Sequence, residues 1–242
     1  MTRLTRLFIL GLSLGFLLLV DRVDGSIING SFENGMAGWA SVGPNSAVPD
    51  GTINGYNATS GSEYAFLNTG IGAQSVATQD IVLGSIGIGP GYIASNFPNA
   101  MEGSLLFQIF TLDLNCNTLN FDWNFLTNET PPSQAWNDFA FAHLFDSGMS
   151  LTNSVSLDTF SAFPGSGGPE FSHSTGWQSV SFTGLTGGNT YTLVFGVFDA
   201  GDTVVDSALL IDNVHCVPEP GSVTMLGLAG LAFLRMRRRP SC

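Results

Sequence analysis

The residues of this sequence with the clearest capacity for chemistry are carboxylates. Two carboxyl groups held about 5–10 Å apart can hydrolyse a glycosidic bond, but a sequence gives no distances. In a strand, Asp122 and Asn124 share the face opposite Trp123, which we expect to face solvent. The group is therefore either a catalytic pair or a polar sheet surface, and we favour the surface. Its members are Asp122, Asn124, Glu129 and Asp138.

A second acidic group consists of Asp199, Asp202 and Asp206. Its Asp-Ala-Gly-Asp segment is above all a turn sequence, and the spacing differs from the twelve-residue calcium loop of EF-hands. We predict a turn between two strands here, with metal binding as the alternative.

Nucleophilic and zinc chemistry find little support. His143, His173 and His215 lie in no recognisable setting, and residues 26–217 contain no Gly-x-Ser-x-Gly segment. No His/Cys spacing is typical of a zinc site. We therefore predict that the protein is not an enzyme.

Sugar binding would use an exposed aromatic side chain as a platform. Trp136 lies in a proline-containing segment and is the best candidate, with loop residues Tyr56 and Tyr92 behind it. The alternative for Trp136 is a lid over the edge of the fold. The other tryptophans are predicted core residues: Trp39, Trp123 and Trp177.

The charge distribution excludes several partners. All seven arginines lie outside residues 26–217, and the chain has no lysine. Of the 19 acidic residues, only Asp21, Asp24 and Glu219 lie outside that range, which leaves 16 inside it. Nucleic acids and anionic lipids need cationic contacts, so these partners are excluded, whereas divalent cations and neutral sugars remain possible.

Two cysteines, Cys116 and Cys216, lie within this acidic body, and Cys242 follows the last arginine. An exported pair can form a disulfide, which would close a loop of about a hundred residues and contribute about 4–5 kcal/mol in the chain-entropy model. Sequence alone leaves open whether the two meet.

The elements that must position these residues are short strands. Leu119, Phe121, Trp123 and Phe125 alternate with polar residues, which is the clearest strand pattern of the chain. Other predicted strands cover residues 27–33, 63–68, 75–82, 103–112, 139–145, 177–182, 191–198 and 208–214, and glycine-rich loops cover 43–61 and 84–98. No stretch has convincing helical periodicity, so we predict a single all-β antiparallel sandwich, with a jelly roll as the expected topology.

The N-terminus predicts export. Arg3 and Arg6 precede an apolar run from Leu7 to Val20, which has the length of a signal-peptide core, and small residues before Ser26 predict cleavage there. The alternative is an uncleaved anchor. Residues 1–25 are thus predicted to be a signal peptide.

The C-terminus, residues 217–242, predicts a membrane stop. Prolines end the folded body, an uncharged apolar run of about 21 Å follows, and an arginine cluster is expected to stay in the cytoplasm. The run is shorter than the bilayer core of roughly 30 Å. The motif residues are Val217, Pro218, Glu219 and Pro220, and the basic stop comprises Arg235, Arg237, Arg238 and Arg239.

This tail resembles the PEP-CTERM sorting signal of Gram-negative bacteria, a region also labelled ice-binding protein C-terminal domain, which implies nothing about ice here. The resemblance implies recognition by an exosortase, removal of the tail and a final place in the cell envelope or outside the cell. An ordinary C-terminal membrane anchor is the alternative.

The ends of the body resemble those of galactose-binding-like jelly rolls, which include many carbohydrate-binding modules. The segments concerned are Asn-Gly-Ser-Phe-Glu at 29–33, with Trp39, and Leu-Ile-Asp-Asn-Val at 210–214. The resemblance implies that Glu33 and Asp212 bind a structural Ca²⁺. The alternative is that Glu33 caps a turn and Asp212 accepts hydrogen bonds from nearby backbone amides.

These observations predict three segments: a signal peptide (1–25), a β-sandwich (26–216) and a sorting signal (217–242). The predicted protein passes the inner membrane, contacts an exosortase-type protease, and has a structural or adhesive role in extracellular polysaccharide. A carbohydrate-binding module with a structural calcium is the alternative, and a glycoside hydrolase is a more distant one.

Overall fold

The computed structural model describes residues 26–130, 132–163 and 165–218. Within these residues twelve strands form two six-stranded sheets, and every strand pairing is antiparallel. The predicted antiparallel β-sandwich of jelly-roll type is therefore confirmed. The predicted signal peptide and the tail beyond Pro218 lie outside the described residues.

The first sheet has the order β1-β5-β11-β7-β8, and β4 also pairs with β5. Its strands are β1 (Ala40–Val42), β4 (Gln74–Ser75), β5 (Ala100–Thr111), β7 (Phe139–Asp146), β8 (Leu151–Asp158) and β11 (Thr190–Ala200). The second sheet has the order β10-β6-β12-β3-β2, and β9 also pairs with β6. Its strands are β2 (Asn45–Pro49), β3 (Glu63–Asn68), β6 (Cys116–Thr127), β9 (His173–Ser174), β10 (Gln178–Phe182) and β12 (Ser207–Pro218).

The described helices are short: α1 (Val76–Ser85), α2 (Tyr92–Asn96), a 3₁₀ turn (Gln134–Trp136) and α3 (Thr159–Ala162). None of the helices within the described ranges combines the length and the apolar character needed to cross a membrane.

The two ends of the sandwich differ. At one end, residues 112–115 connect β5 to β6 near the last residue of β12; we call this the disulfide end. At the other end, β5 begins at Ala100, β11 finishes at Ala200 and β12 begins at Ser207; we call this the groove end.

The core lies between the sheets and follows the strand alternation. Leu119, Phe121, Trp123 and Phe125 of β6 are all buried there, as their period of two predicts. Phe121 meets Phe195 of β11 across the core, with their ring centroids 5.0 Å apart.

Both outer faces of the sandwich are also covered. On the first sheet, helices α1 and α2 bury an apolar layer that includes Phe107, Phe141 and Phe198. On the second sheet, loop residues including Ile53 and Phe171 bury Tyr64 and Leu210. Surface available to a ligand therefore lies at the ends and edges of the sandwich.

Two predicted strands are wrong. Residues 27–33 form turns, because Asn29 and Phe32 have positive φ values of 51° and 57°, and the Asn29 side chain donates to Gly35 O and Ala37 O. Residues 75–82 form most of α1, because the Ser75 hydroxyl accepts a hydrogen bond from Thr78 N and caps the helix. This cap was the signal that the strand prediction missed.

The predicted loops contain further elements. Strand β2 lies inside the predicted loop 43–61, and α2 lies inside the predicted loop 84–98. Strand β8 was not predicted, since its residues Leu151–Asp158 are mostly polar and exposed at the edge of the first sheet. At the C-terminus β12 continues to Pro218, two residues past the predicted boundary. Among the described strands, the last residues of β12 pair with β6 only, so a proline is tolerated there.

Candidate functional site

Trp136 lies at the groove end, in the 3₁₀ turn that precedes β7. Its side chain is 46% exposed, more than any other described tryptophan or phenylalanine. The Ser133 side chain accepts from Ala135 N and starts the turn. Gly201 supports the turn from below, because a Cβ there would clash with Ala135 O and touch Trp136.

A groove of about 200 Å³ is lined by Gln134 and Asn137, which lie on either side of Trp136 in the sequence. Two stacked rings form its apolar part: Phe97 and Phe139 have centroids 4.6 Å apart. A hydrogen bond of 2.9 Å from Gly201 N to Asn99 O joins the two walls. Side-chain amides supply the polar part of the lining: Asn96, Asn99, Gln134 and Asn137.

Asn137 has the one buried side-chain atom of the groove lining that lacks a hydrogen-bond partner among the described residues. Its Nδ2 donates to Asp158 Oδ2 at 3.0 Å, whereas its buried Oδ1 is unpaired. Buried polar atoms are normally paired. A ligand or a water molecule can pair this acceptor only if the groove opens to it.

Behind the groove, Asp138 faces into the protein. Its Oδ1 accepts from Ala200 N at 2.9 Å and its Oδ2 from Ser207 Oγ at 2.6 Å. Burial, with a smaller contribution from Glu129 and Asp202, raises the pKa of Asp138 to about 7. The carboxyl group thus links β11 of the first sheet to β12 of the second sheet, and it does not point into the groove.

Asp199, one residue before Ala200, is 1% exposed, and neither of its carboxylate oxygens has a hydrogen-bond partner among the described residues. Thr69 lies nearby, but its hydroxyl donates to Ser207 O. Burial raises the pKa of Asp199 to about 8; the Thr69 hydroxyl acts against this, and the charges of Asp138, Asp206 and Glu102 add smaller increases. The turn predicted for residues 198–206 is present, and it carries this buried carboxyl at its start.

Glu33 and Asp212, the predicted calcium ligands, converge on one loop, residues 59–63. Asp212 Oδ2 accepts from Thr59 N at 2.6 Å and from Ser60 N at 2.8 Å. Glu33 Oε1 accepts from Ser62 N at 2.6 Å and from Glu63 N at 2.7 Å. These backbone donors lower the pKa of Glu33, whereas burial raises that of Asp212.

This arrangement does not fit a calcium site at Glu33 and Asp212. Calcium needs six to eight oxygen ligands, but N–H groups occupy the carboxylate oxygens. The geometry agrees with the alternative interpretation, in which the two side chains fix a loop through backbone amides. Calcium at this pair therefore stays a prediction, with no geometric support from the described residues.

The first acidic group of the sequence is split. Asp122 lies on the outer face of the second sheet, where it accepts from Ser179 Oγ and Asn213 Nδ2. It is only 8% exposed, and Asn124 is 0% exposed, so the predicted solvent face is wrong: loops cover it. Glu129 and Asp138 lie at the groove end instead.

The histidines do not meet in one site. His143 is buried below α2, where Tyr92 OH lies 2.9 Å from its Nδ1, and burial lowers its pKa to about 4. The Nδ1 atoms of His173 and His215 lie within hydrogen-bonding distance of the backbone carbonyls of Gly165 and Asn213. Tyr56 is similarly occupied by Ser174. Trp136 is thus the exposed member of the predicted aromatic candidates.

At the disulfide end, Cys116 and Cys216 form a disulfide with a Cα–Cα distance of 6.0 Å. Asp113 lies close enough to both sulfur atoms for a metal site, but both sulfurs are already bonded to each other. Of the predicted sorting motif, Val217 and Pro218 are the last residues of β12. Glu219, Pro220, and the basic residues Arg235, Arg237, Arg238 and Arg239 lie outside the described residues.

Comparisons with known proteins give structural neighbours only. No protein-family model matches the chain, and no curated protein matches it in sequence. The fold is similar to that of a family 61 carbohydrate-binding module solved with β-1,4-galactotriose (12% identity, TM-score 0.45, covering 81% of this chain and 99% of the module). It is also similar to a family 4 module (12%, 0.40, 80% and 100%) and to a family 16 module (18%, 0.37, 79% and 98%).

Sequence reasoning found Trp136 but missed the rest of the groove. Asn96 lies in the predicted glycine-rich loop 84–98, Asn99 directly follows it, and both come within reach of Asn137 because α2 packs on the first sheet. The local signal for this wall was Phe97, a large aromatic residue between Asn96 and Pro98.

Proposed function

We propose that this chain is an exported, non-enzymatic protein whose β-sandwich binds carbohydrate in the groove beside Trp136. One observation carries the proposal: the exposed Trp136 shares a 3₁₀ turn with Gln134 and directly precedes Asn137, two of the amide residues that line the groove.

The chemistry of the groove suits a neutral sugar. An amide side chain both donates and accepts, so it can bond hydroxyl groups of either orientation. A tryptophan offers a large apolar face on which the C–H groups of a sugar ring can pack. The absence of lysine and arginine from residues 26–217 argues against anionic glycans and for neutral ones.

The positions of the chain ends support presentation at a surface. Ser26 and Pro218 line the same depression next to Cys116, so both predicted processing points lie at the disulfide end. A chain held in the envelope by its tail would present the groove end outward. This arrangement supports the proposal of a structural or adhesive role in extracellular polysaccharide after exosortase-type sorting.

The binding proposal is tested by affinity electrophoresis in gels that contain single neutral polysaccharides. We expect at least one polysaccharide to retard the protein, and Trp136→Ala to weaken association at least tenfold, as expected for a central aromatic contact. Gln134→Ala, which removes an exposed amide, should weaken it less.

Leu114→Ala is the matched control, because Leu114 is 84% exposed at the disulfide end and its loss should leave retention unchanged. Equal retention of Trp136→Ala and the parent, or no retention of the parent by any polysaccharide, contradicts the proposal. The sorting part is tested separately, by locating the protein after Pro218, Glu219 and Pro220 are replaced by alanine; unchanged localisation contradicts it.

A further inference from the structure

Six of the 16 acidic residues of the body gather at the groove end. Besides Asp138 and Asp199, the charges that act on them come from Glu102, Glu129, Asp202 and Asp206. No lysine or arginine occurs in residues 26–217 to compensate them. No lysine or arginine side chain of the body therefore neutralises the cluster, but an acidic cluster alone is not evidence of a metal site.

The second observation is the state of Asp199. Its side chain is 99% buried and both oxygens are unpaired within the described residues. An isolated buried carboxylate is strongly unfavourable. Such a group needs either a proton or a cation.

The strand pairing beside Asp199 is irregular. Phe198 pairs with Gly103 and Ala200 with Ala100, so one residue of β11 faces two residues of β5. The extra residue belongs to β5, and the alternation of β11 therefore continues through Asp199. Leu193, Phe195 and Val197 precede Asp199 on the core-facing side of β11, so its carboxyl lies at the rim of the core.

Oxygen atoms of Asp206 and Asn68 approach the same place from the neighbouring loop. A Cβ at Gly70 would lie 2.7 Å from Asp206 Oδ2 and 3.1 Å from Asn68 Oδ1. The Asn68 Oδ1 atom accepts one hydrogen bond, from Gly70 N at 2.9 Å, which leaves its second lone pair for a ligand. Asp206 is close enough to raise the pKa of Asp199.

We infer that Asp199, Asp206 and Asn68 bind a divalent cation, Ca²⁺, at the groove end. Carboxylate and amide oxygens with waters form the irregular oxygen shell that Ca²⁺ accepts and Mg²⁺ does not. The acidic side chains of the groove end do not form a preassembled site. Within the described residues, Asp113, Cys116 and Cys216 are the one group of three His, Cys, Asp or Glu side chains whose ligand atoms lie within 4.8 Å of one another. Binding therefore draws the exposed Asp206 inward. This site is separate from Glu33 and Asp212 and does not depend on carbohydrate binding.

The test is calorimetric titration of the full-length protein with CaCl₂ after EGTA treatment, together with thermal melts. We expect one Ca²⁺ per chain and a rise in Tm of roughly 5–10 °C at a hundredfold excess over Kd. Affinity should fall from about pH 8 to about pH 6, because a proton competes for the ligand carboxyl. Asp199→Asn should abolish both effects.

Two further variants keep the outcome decisive. Asp206→Asn changes an exposed residue, so the protein should fold and bind Ca²⁺ about tenfold more weakly, as for the loss of one charged ligand of a calcium site. Glu33→Gln should bind normally. Unchanged affinity in Asp206→Asn, binding lost in Glu33→Gln but kept in Asp199→Asn, or no binding by the parent up to about 10 mM Ca²⁺ would each overturn the inference.

Discussion

Asp212 and Asp199 are equally buried but have opposite surroundings. Asp212 is 0% exposed, and its oxygens accept hydrogen bonds from the backbone N–H groups of Thr59, Ser60 and Asn213. Asp199 is 1% exposed, and its oxygens have no hydrogen-bond partner within the described residues. Backbone hydrogen-bond donors therefore surround the carboxyl group of Asp212, whereas the carboxyl group of Asp199 has none in the described part of the chain.

This difference separates structural from functional carboxylates. Asp212, together with Glu33, uses its hydrogen-bonding capacity to hold the loop 59–63 against the second sheet. The carboxyl group of Asp199 makes no hydrogen bond within the described residues, and the unpaired Oδ1 atom of Asn137 lies at the same end of the sandwich. Two of the unpaired buried side chains thus lie at the groove end, whereas Asn120, Trp123 and Asn124 lie along β6.

The largest expected effect comes from Asp212. Asp212→Asn replaces a charged acceptor of three backbone donors with an amide that cannot accept all of them, and it should lower the free energy of unfolding by about 2–4 kcal/mol. Chemical denaturation at about pH 7 measures this. Asp199→Asn is the matched control and should cost much less. Equal losses of stability in the two variants would show that the hydrogen bonds of Asp212 do not set it apart from Asp199.

The pH dependence of stability should report Asp199 and Asp138 next. Folding raises their pKa values to about 8 and about 7, above the unfolded value of about 3.9. The folded state then holds protons that the unfolded state has already released, so stability falls as pH rises toward about 8, and the window from about pH 6.5 to about 8 measures this fall. His143, with its pKa lowered to about 4, does not contribute in this window.

Thermal melts in EGTA across that window measure the slope. We expect Asp199→Asn to flatten it and Asp212→Asn to leave most of it in place. A slope that Asp199→Asn does not change would mean that this carboxyl is paired in solution.

A smaller effect is expected at Asp158, which both caps a helix and holds a residue of the groove. Its Oδ1 caps α3 by accepting from Ser161 N at 2.8 Å, and its Oδ2 accepts from Asn137 Nδ2. Asp158→Ala should cost about 1 kcal/mol as a lost helix cap and also weaken polysaccharide retention, because Asn137 loses its support. Ser75→Ala removes the cap of α1 and should have a similar cost with unchanged retention. Equal retention in both variants would show that Asn137 needs no positioning.

The smallest effect is expected for Glu33→Gln. Glu33 is exposed, and water can replace much of what its carboxylate provides, so the loss of stability should be well below that of Asp212→Asn. Denaturation curves of both variants decide the order. The reverse order would place the main anchor of loop 59–63 at Glu33.

The sequence predicted the sheets better than the site, for physical reasons. The alternation of Leu119, Phe121, Trp123 and Phe125 reflects burial between two sheets, and burial imposes a period that a single sequence displays. Residues 27–33 also look apolar and β-branched, but the positive φ of Asn29 and its side-chain hydrogen bonds override that propensity.

Positions that depend on long-range packing were not predictable. Asn96 reaches the groove through α2, whose first turn is held by Asp80 of α1, which accepts from Ile93 N and Ala94 N. Asp122 is bonded to residues more than fifty positions away, Ser179 of β10 and Asn213 of β12. The end motifs directed attention to Glu33 and Asp212, whose oxygens are already occupied, whereas Asp199 appeared in sequence as an ordinary turn residue.

Hydrogen–deuterium exchange with and without the polysaccharide that retains the protein gives the sharpest test of the groove. If the sugar binds beside Trp136, backbone amides of residues 96–99 and 134–139 should exchange more slowly in the complex, while those of residues 112–116 stay unchanged. Protection confined to another surface, or no protection at 134–139, would contradict binding at the groove end.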